Sequence, residues 1–295
     1  MRIGFIGFGE AAYNIALGLH AEGAFEFRAY DTAIHAEGFG RQIQNRAEQA
    51  GVLLADSSRE IAQWADLLFA AVPSTYTLNV CKEVLPCLRE GQLYVDVSAS
   101  TPSVKKAIWD EVKRAGVLFV DAAMLGSLPK DKHRVPITAS GNGAQAFYDV
   151  MTPYGMQITC AGEEAGAASA IKLVRSIFMK GIAALMIETM QAADAYGVAE
   201  EIIASLSESL DGIPFASHLN RLVTGTAIHC VRRAKELAGS IDMLQEAGIA
   251  SDMTAAGKKR TEALAAYDFA QQYAQSQPKG WQEIITALRV SDRKE

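Results

Sequence analysis

The first 31 residues constrain the fold more than any other stretch of this chain. The apolar run Arg2–Ile6 predicts a β-strand, and it is followed at once by a G-x-G-x-x-A turn over residues 7–12. Apolar residues then recur at helical spacing, and a second apolar run, Phe25 to Tyr30, ends at Asp31. Strand, glycine turn, helix, strand and acidic residue in this order predict the first βαβ unit of a doubly wound parallel sheet.

Each part of this unit has a role in a dinucleotide site. Gly7 allows the tight turn, Gly9 lets the backbone approach a pyrophosphate, and Ala12 lets the helix pack closely on the strand. The helix N-terminus offers free N–H groups to the phosphates, and Asp31 is placed to accept hydrogen bonds from a ribose. The loop Val72–Ser74 follows a later strand, where open α/β sheets bind ligands. The predicted cofactor-binding residues are Gly7, Phe8, Gly9, Glu10, Ala11, Ala12, Asp31, Val72, Pro73 and Ser74.

The carboxylate of Asp31 also predicts which dinucleotide is preferred. A 2′-phosphate would place negative charge against it, and the following Thr32-Ala33-Ile34 offers no arginine to offset that charge. We therefore expect NAD as the cofactor rather than NADP.

Strand and helix patterns alternate as far as Gly162, and helical periodicity alone follows. Asp96 and Asp121 lie at or near the ends of two predicted strands, where we expect structural hydrogen bonds to neighbouring loops. The sequence predicts an α/β Rossmann domain with a mostly parallel sheet over residues 1–162, and an all-α domain for substrate binding and dimerisation over residues 163–295. The predicted strands cover residues 2–6, 25–30, 52–54, 66–72, 93–97, 117–122, 135–139 and 156–160.

The second half carries long apolar stripes. Predicted helices cover residues 163–196, 199–210, 222–247, 252–275 and 279–288. We expect a stripe along the first of them to be a buried face, formed by Ile171, Val174, Phe178, Ile182, Leu185 and Thr189. Other apolar positions predict a two-fold homodimer through this half, and they include Ile241, Leu244, Ile249, Leu264 and Phe269.

Composition excludes several classes of partner. The net charge is −6 without a basic block, so we expect neither nucleic acid nor an acidic membrane surface as a partner. Without a recognisable signal peptide or an uninterrupted apolar span, the sequence predicts a cytoplasmic protein. The four cysteines lack metal-ligand spacing, so no metal site is expected.

Four motifs along the chain resemble those of the β-hydroxyacid dehydrogenases. This superfamily includes 3-hydroxyisobutyrate dehydrogenase, tartronate semialdehyde reductase and, more distantly, 6-phosphogluconate dehydrogenase. Within it, Lys180-Gly181 and the run His229–Arg233 are similar to a phosphogluconate dehydrogenase-like branch. The four motifs span most of the chain, and they are Gly7-Phe8-Gly9, Asp96-Val97-Ser98, the run Asp121 to Ser127, and Lys172.

The resemblance implies an NAD-dependent oxidoreductase that transfers a hydride between nicotinamide and a 3-hydroxyacid-like or aldonic-acid-like substrate. Lys172 matches the catalytic lysine, which acts as general acid and base. Ser98 matches the serine that binds the substrate carboxylate, and Gly126 matches the first glycine of the substrate loop. The remaining predicted substrate-binding residues are Ser127, Arg175, Ser176 and Lys180.

Three departures from the family pattern affect the expected substrate. The serine of the substrate loop is Leu125, its second glycine is Ser127, and the asparagine expected after the lysine is Ser176. We therefore expect a substrate other than 3-hydroxyisobutyrate, either larger or more anionic. Two alternatives stay open: a non-catalytic dinucleotide-binding protein for redox sensing or assembly, and an oxidative decarboxylase of a sugar acid.

Overall fold

The first half of the chain builds one continuous sheet, and the second half is helical. The structure is a computed structural model and describes residues 1–23 and 25–291. The chain divides into two compact units, Met1–Ile177 and Phe178–Glu295. The boundary between these units falls inside a helix, and the domain division at residue 162 stays a prediction.

Within the described residues, eight strands form the sheet of the first unit. They are β1 (Arg2–Ile6), β2 (Glu26–Tyr30), β3 (Leu53–Leu54), β4 (Leu67–Ala70), β5 (Leu93–Asp96), β6 (Leu118–Met124), β7 (Ile137–Ser140) and β8 (Ile158–Cys160). Their order across the sheet is β3-β2-β1-β4-β5-β6-β7-β8. Neighbouring strands are parallel except β6 and β7, which pair antiparallel. The predicted fold class, a doubly wound and mostly parallel sheet, is confirmed.

The central strands are apolar throughout because both of their faces are covered. Successive side chains of a strand point to opposite faces. Phe5 and Phe69 accordingly stack in one hydrophobic cluster, at 5.3 Å between ring centroids. Leu68 and Tyr94 belong to a second cluster on the other face. Continuous burial of this kind is typical of parallel sheets between two helical layers.

Helices follow most strands of the first unit. They are α1 (Glu10–Leu19), α2 (Phe39–Ala50), α3 (Ser58–Trp64), α4 (Thr77–Val84), α5 (Pro102–Val112), α6 (Leu128–Asp131) and α7 (Ala144–Met151). Single turns of 3-10 helix cover Leu85–Cys87, Lys113–Ala115, Lys132–Arg134 and Thr152–Tyr154.

A long helix, α8 (Ala167–Ala195), carries the chain from the first unit into the second. The helices that follow it are α9 (Ala199–Leu210), α10 (Phe215–Ile228), α11 (Cys230–Glu246), α12 (Asp252–Ala263), α13 (Phe269–Gln272) and α14 (Trp281–Ser291), with a 3-10 segment at Leu264–Tyr267.

Two of the long predicted helices are each divided. The prediction of one helix over 222–247 is wrong because His229 leaves the helical conformation, at φ −106° and ψ 23°, between α10 and α11. The prediction over 252–275 is wrong because Asp268 takes a left-handed backbone, at φ 47°, ahead of α13. A break of one residue leaves the apolar periodicity on both sides intact, so periodicity alone does not reveal it.

The second unit has its own small core, which corrects part of the predicted dimer surface. Phe269 is fully buried and packs with Ala227 and Ile284, and Leu244 is also buried. These two predicted interface residues therefore lie inside the chain, because they complete its own packing.

The apolar stripe predicted as the buried face of α8 is largely exposed. Val174 is 65% exposed, and Ile171, Phe178 and Leu185 are each between 45% and 48% exposed. Periodicity identified an apolar stripe correctly but not what covers it, because a repeat of 3.6 residues is the same for a core face and an interface.

Candidate functional site

The glycine turn after β1 needs a glycine at its first position. Gly7 has φ +83°, and a Cβ atom there would lie 2.5 Å from the carbonyl oxygen of Ala71. Its N–H donates to the carbonyl of Tyr30 at 2.8 Å. The ends of β1, β2 and β4 thus meet at Gly7, and any side chain would separate them.

The N-terminus of α1 opens into free space. Gly9 caps this helix without a side-chain cap hydrogen bond in the described residues, and a Cβ atom on Gly9 would meet nothing within 4 Å. Ala12 is fully buried, so the helix packs tightly on the sheet beneath. Helix N–H groups with open space before them fit a pyrophosphate.

Asp31 is fixed beside the glycine turn. Its two carboxylate oxygens accept hydrogen bonds from the backbone N–H groups of Phe8 and Ala33, each at 2.8 Å. A carboxylate oxygen has two lone pairs, so each can accept a second bond from a ribose hydroxyl.

The loop Val72–Ser74 lies across from this turn. A Cβ atom at Gly7 would come within 2.9 Å of the Val72 side chain, whereas Pro73 and Ser74 are exposed. The strand order reverses between β1 and β4, so their carboxyl ends form the crevice in which doubly wound sheets bind ligands. The structure brings the ten predicted cofactor residues to this crevice, and they fit a dinucleotide.

Ser98 follows β5 and is turned into the protein. It is 8% exposed, its hydroxyl donates to the Asp96 carboxylate, and its backbone N–H donates to the same oxygen at 2.9 Å. The Thr77 hydroxyl lies 3.1 Å from that of Ser98. The hydroxyl proton of Ser98 is therefore held by Asp96, and substrate binding by Ser98 stays a prediction.

The loop after β6 presents its backbone to solvent. Gly126 and Ser127 are exposed, and a Cβ atom at Gly126 would lie 3.0 Å from Val135 and 3.1 Å from the Asp131 carboxylate. A larger residue at position 126 would therefore push this loop outwards, away from its support.

Four of the predicted site residues lie on α8, and Lys172 is the first of them. Lys172 and Ser176 are half-buried, whereas Arg175 and Lys180 are exposed. The first three belong to the first unit, and Lys180 lies two turns beyond Lys172 in the second unit. A spacing of three or four residues places Lys172, Arg175 and Ser176 on one side of the helix.

The start of α8 is tied to the sheet by Asp121. This carboxylate accepts bonds from the backbone N–H groups of Gly166 and Ser169, at 3.1 and 2.9 Å, and from the Ser169 hydroxyl at 2.7 Å. The expected structural role of Asp121 is confirmed, although its partner is a helix start instead of a loop. Lys172 lies one turn after Ser169 and is placed by this attachment.

Sequence reasoning missed Lys105, which is fully buried between Asp96 and Asp121. The signal was present: Lys105 lies three residues before Ile108 and seven before Val112, both buried on the same face of α5. A lysine on an apolar stripe predicts a buried acidic partner.

The described part of the chain lacks two further features. No helix within residues 1–23 and 25–291 is long and apolar enough to cross a membrane. The same residues contain no group of three or more histidine, cysteine or acidic side chains that could hold a metal ion.

Two family models match the chain. Residues 2–162 match the NAD binding domain of 6-phosphogluconate dehydrogenase, and residues 193–264 match a domain of unknown function. The first match covers more than half of the chain, from β1 to the end of the sheet.

Curated relatives include proteins with and without an assigned activity. An uncharacterized 28.5 kDa protein of Methanothermus fervidus is 28% identical over 240 residues, which are 80% of this chain and 88% of that protein. The mitochondrial 3-hydroxyisobutyrate dehydrogenase of Mus musculus is 28% identical over 130 residues, which are 43% of this chain and 36% of the mouse enzyme.

Solved structures share the fold over most of the chain. A conserved protein of unknown function, reported as structurally similar to 3-hydroxyacid dehydrogenases, superimposes with a TM-score of 0.61 at 29% identity, covering 90% of this chain and 96% of that one. The reductive aminase of Aspergillus terreus, solved in complex with NADPH, superimposes with a TM-score of 0.70 at 15% identity, covering 90% and 93%. At 15% identity the second likeness shows the fold alone.

Proposed function

The chain belongs to the family of the NAD binding domain of 6-phosphogluconate dehydrogenase, among the 3-hydroxyacid dehydrogenase-like oxidoreductases, and from that premise we propose that it oxidises or reduces a 3-hydroxyacid-like substrate with NAD. The observation that carries this proposal is the attachment of α8 to the sheet, in which Asp121 accepts a hydrogen bond from the backbone N–H of Ser169, one turn before Lys172. A bound nicotinamide dinucleotide would supply the hydride acceptor or donor.

The residues at the ends of β1, β2 and β4 support binding of the cofactor. The Gly7–Ala12 turn offers backbone N–H groups for the pyrophosphate, and Asp31 offers acceptors for the adenosine ribose. In this proposal Asp31 also selects NAD, because a 2′-phosphate would meet its negative charge.

The proposed role of Lys172 is to exchange a proton with the oxygen of the substrate. When the hydroxyl is oxidised, the amine accepts its proton; when the carbonyl is reduced, the ammonium donates one. In this proposal Gly126 and Ser127 bind a carboxylate close to Ser98, and Arg175 and Ser176 add a positive charge and a hydroxyl on the side of α8 that carries Lys172. This arrangement suits an anionic substrate, either a hydroxyacid or an aldonic acid.

A second candidate is the reduction of a carbon–nitrogen double bond. Leu125 replaces the serine of the family's carboxylate clamp, which favours a less polar substrate on that side. Structural neighbours at 15% and 18% identity include a reductive aminase and an imine reductase. The same Lys172 would then donate its proton to nitrogen instead of oxygen.

We also propose that the protein is a homodimer. Its most exposed apolar side chains include Ile177, at 75%, and Ile187, at 64%, both on α8. Large apolar side chains that are exposed along one helix mark a protein–protein interface more often than a surface that faces water.

The function is tested by a substrate screen that follows the absorbance of reduced nicotinamide. One arm offers 3-hydroxyacids and aldonic acids with NAD, and the other offers ketones, with and without an amine, together with NADH. Turnover in the first arm is expected. Turnover of a ketone that requires the amine would favour imine reduction, and carbon dioxide release in the first arm would indicate decarboxylation. No turnover in either arm, with NAD bound, would favour the non-catalytic alternative.

A further inference from the structure

An ammonium group is buried beneath the proposed substrate site. Lys105 is 0% exposed on α5. Its Nζ lies 3.1 Å from the Asp96 carboxylate and 3.5 Å from that of Asp121, and it donates to the Asp96 carbonyl at 2.9 Å. Asp96 and Asp121 are register partners on β5 and β6, and both are fully buried. A buried charge is tolerated only when it is paired in this way.

The other titratable groups nearby are neutral or at the surface. Burial, with the charge of Asp96 added, raises the pKa of Cys81 to about 12, and burial raises the pKa of Tyr94 well above its ordinary value. Lys82 and Glu111, which also face Cys81, pair with each other at 3.6 Å and are partly exposed. The cluster therefore holds one positive and two negative charges.

The second negative charge is compensated by the start of α8. Asp121 accepts three hydrogen bonds from Gly166 and Ser169, where the helix dipole is positive. Ser140, at the end of β7, adds a fourth hydrogen bond between the sheet and the start of α8. Its hydroxyl accepts from the backbone N–H of Ala168 at 3.0 Å. The ammonium of Lys105 and the N-terminus of α8 thus share the carboxylate of Asp121.

The same cluster reaches the loop after β5. Asp96 binds the hydroxyl and the backbone N–H of Ser98, and it accepts from the Thr77 hydroxyl at 2.8 Å. The buried ammonium of Lys105 is therefore connected to Ser98 through Asp96, and to the helix turn that precedes Lys172 through Asp121.

We infer that Lys105 is a positioning residue, whose ammonium bridges the carboxylates of Asp96 and Asp121 and so fixes Ser98 and the first turn of α8 for catalysis. Its effect on turnover rests on the proposed function, whereas its effect on α8 does not. Without the ammonium, two buried carboxylates lose the cation that lies between them and repel each other. The cap of α8 then weakens, and Lys172 is misplaced.

The test compares Lys105→Met with Lys106→Met, which removes an exposed lysine from the adjacent position of the same helix. Hydrogen exchange measures the amides at the start of α8, and calorimetry measures NAD affinity. We expect Lys105→Met to speed exchange at Ala168 and Ser169 at least tenfold and to lower kcat about 10- to 100-fold. NAD affinity should stay within about twofold, because α1 and Asp31 bind it elsewhere.

A second substitution separates charge balance from simple loss of packing. In Lys105→Met/Asp96→Asn one carboxylate is replaced by a neutral amide from the start, so Asp121 no longer faces a second buried carboxylate. The oxygen of the new amide can still accept from Ser98, and its NH₂ group can donate to Thr77. We expect this double variant to recover slow exchange at α8 and most of kcat. A double variant as impaired as Lys105→Met would overturn the charge mechanism.

Further outcomes separate this inference from the proposed function. If the wild-type protein turns over but Lys105→Met exchanges like Lys106→Met, the inference is wrong and the proposed function stands. If no substrate is found, the exchange data still decide the inference. Should Lys105→Met fail to fold, Asp121→Ala removes the acceptor of the Ser169 amide, and unchanged exchange at Ser169 in that variant would overturn the inference.

Discussion

At the scale of single residues, the proposed preference for NAD rests on Asp31. We expect the wild-type protein to bind NAD at least about tenfold more tightly than NADP, a difference of about 1.4 kcal/mol. The reason is that the 2′-phosphate of NADP would lie against the Asp31 carboxylate, which the N–H groups of Phe8 and Ala33 hold in place. Calorimetry with both nucleotides measures the ratio.

Asp31→Asn should reduce the ratio of NAD affinity to NADP affinity. The substitution removes the negative charge that would repel the 2′-phosphate, and it keeps an oxygen that can accept a hydrogen bond from the ribose. Glu26→Gln is the matched control, since it removes an exposed carboxylate from the opposite end of β2. Equal or tighter binding of NADP by the wild-type protein would show that Asp31 does not select the cofactor.

Residues differ in how far the sequence could predict their surroundings. The arrangement of Gly7 and Asp31 could be predicted, because a short motif sets their spacing in the sequence. The pairing of β1 with β2 then brings the two residues together. Lys105 could not be assigned a partner, because Asp96 and Asp121 reach it only when β5 and β6 align. The inward turn of the Ser98 hydroxyl was likewise unpredictable, since it depends on the same buried cluster.

At the scale of elements, the sheet was predictable and the helix ends were not. Apolar runs located all eight strands to within a few residues. The start of α8 at Ala167, four residues after the predicted Glu163, depends on Asp121 from a distant strand. The breaks at His229 and Asp268 are single-residue backbone changes within continuous apolar patterns.

At the scale of the whole molecule, the apolar surface of α8 determines the expected assembly. Light scattering at micromolar concentration should give twice the mass of the 31.7 kDa chain. Ile187→Arg should shift the protein towards the monomer, because Ile187 is 64% exposed and a buried guanidinium without a partner is costly. Gln42→Arg, at an exposed polar position on α2, is the control and should stay dimeric. A monomeric wild-type protein would contradict the proposed assembly.

The central claim is that Lys172 exchanges the proton while a hydride passes to or from NAD, and Lys172→Ala tests it most directly. On the substrate that the screen identifies, kcat should fall by about two to four orders of magnitude, the usual contribution of a positioned acid or base. NAD affinity should be nearly unchanged, because the Gly7–Ala12 turn and Asp31 bind the cofactor. Lys180→Ala, in a helix shown intact by circular dichroism, should instead raise KM more than it lowers kcat. If Lys172→Ala kept most of the wild-type kcat, the claim that Lys172 exchanges the proton would be wrong. Arg175 or Lys180 would then have to be tested as the acid.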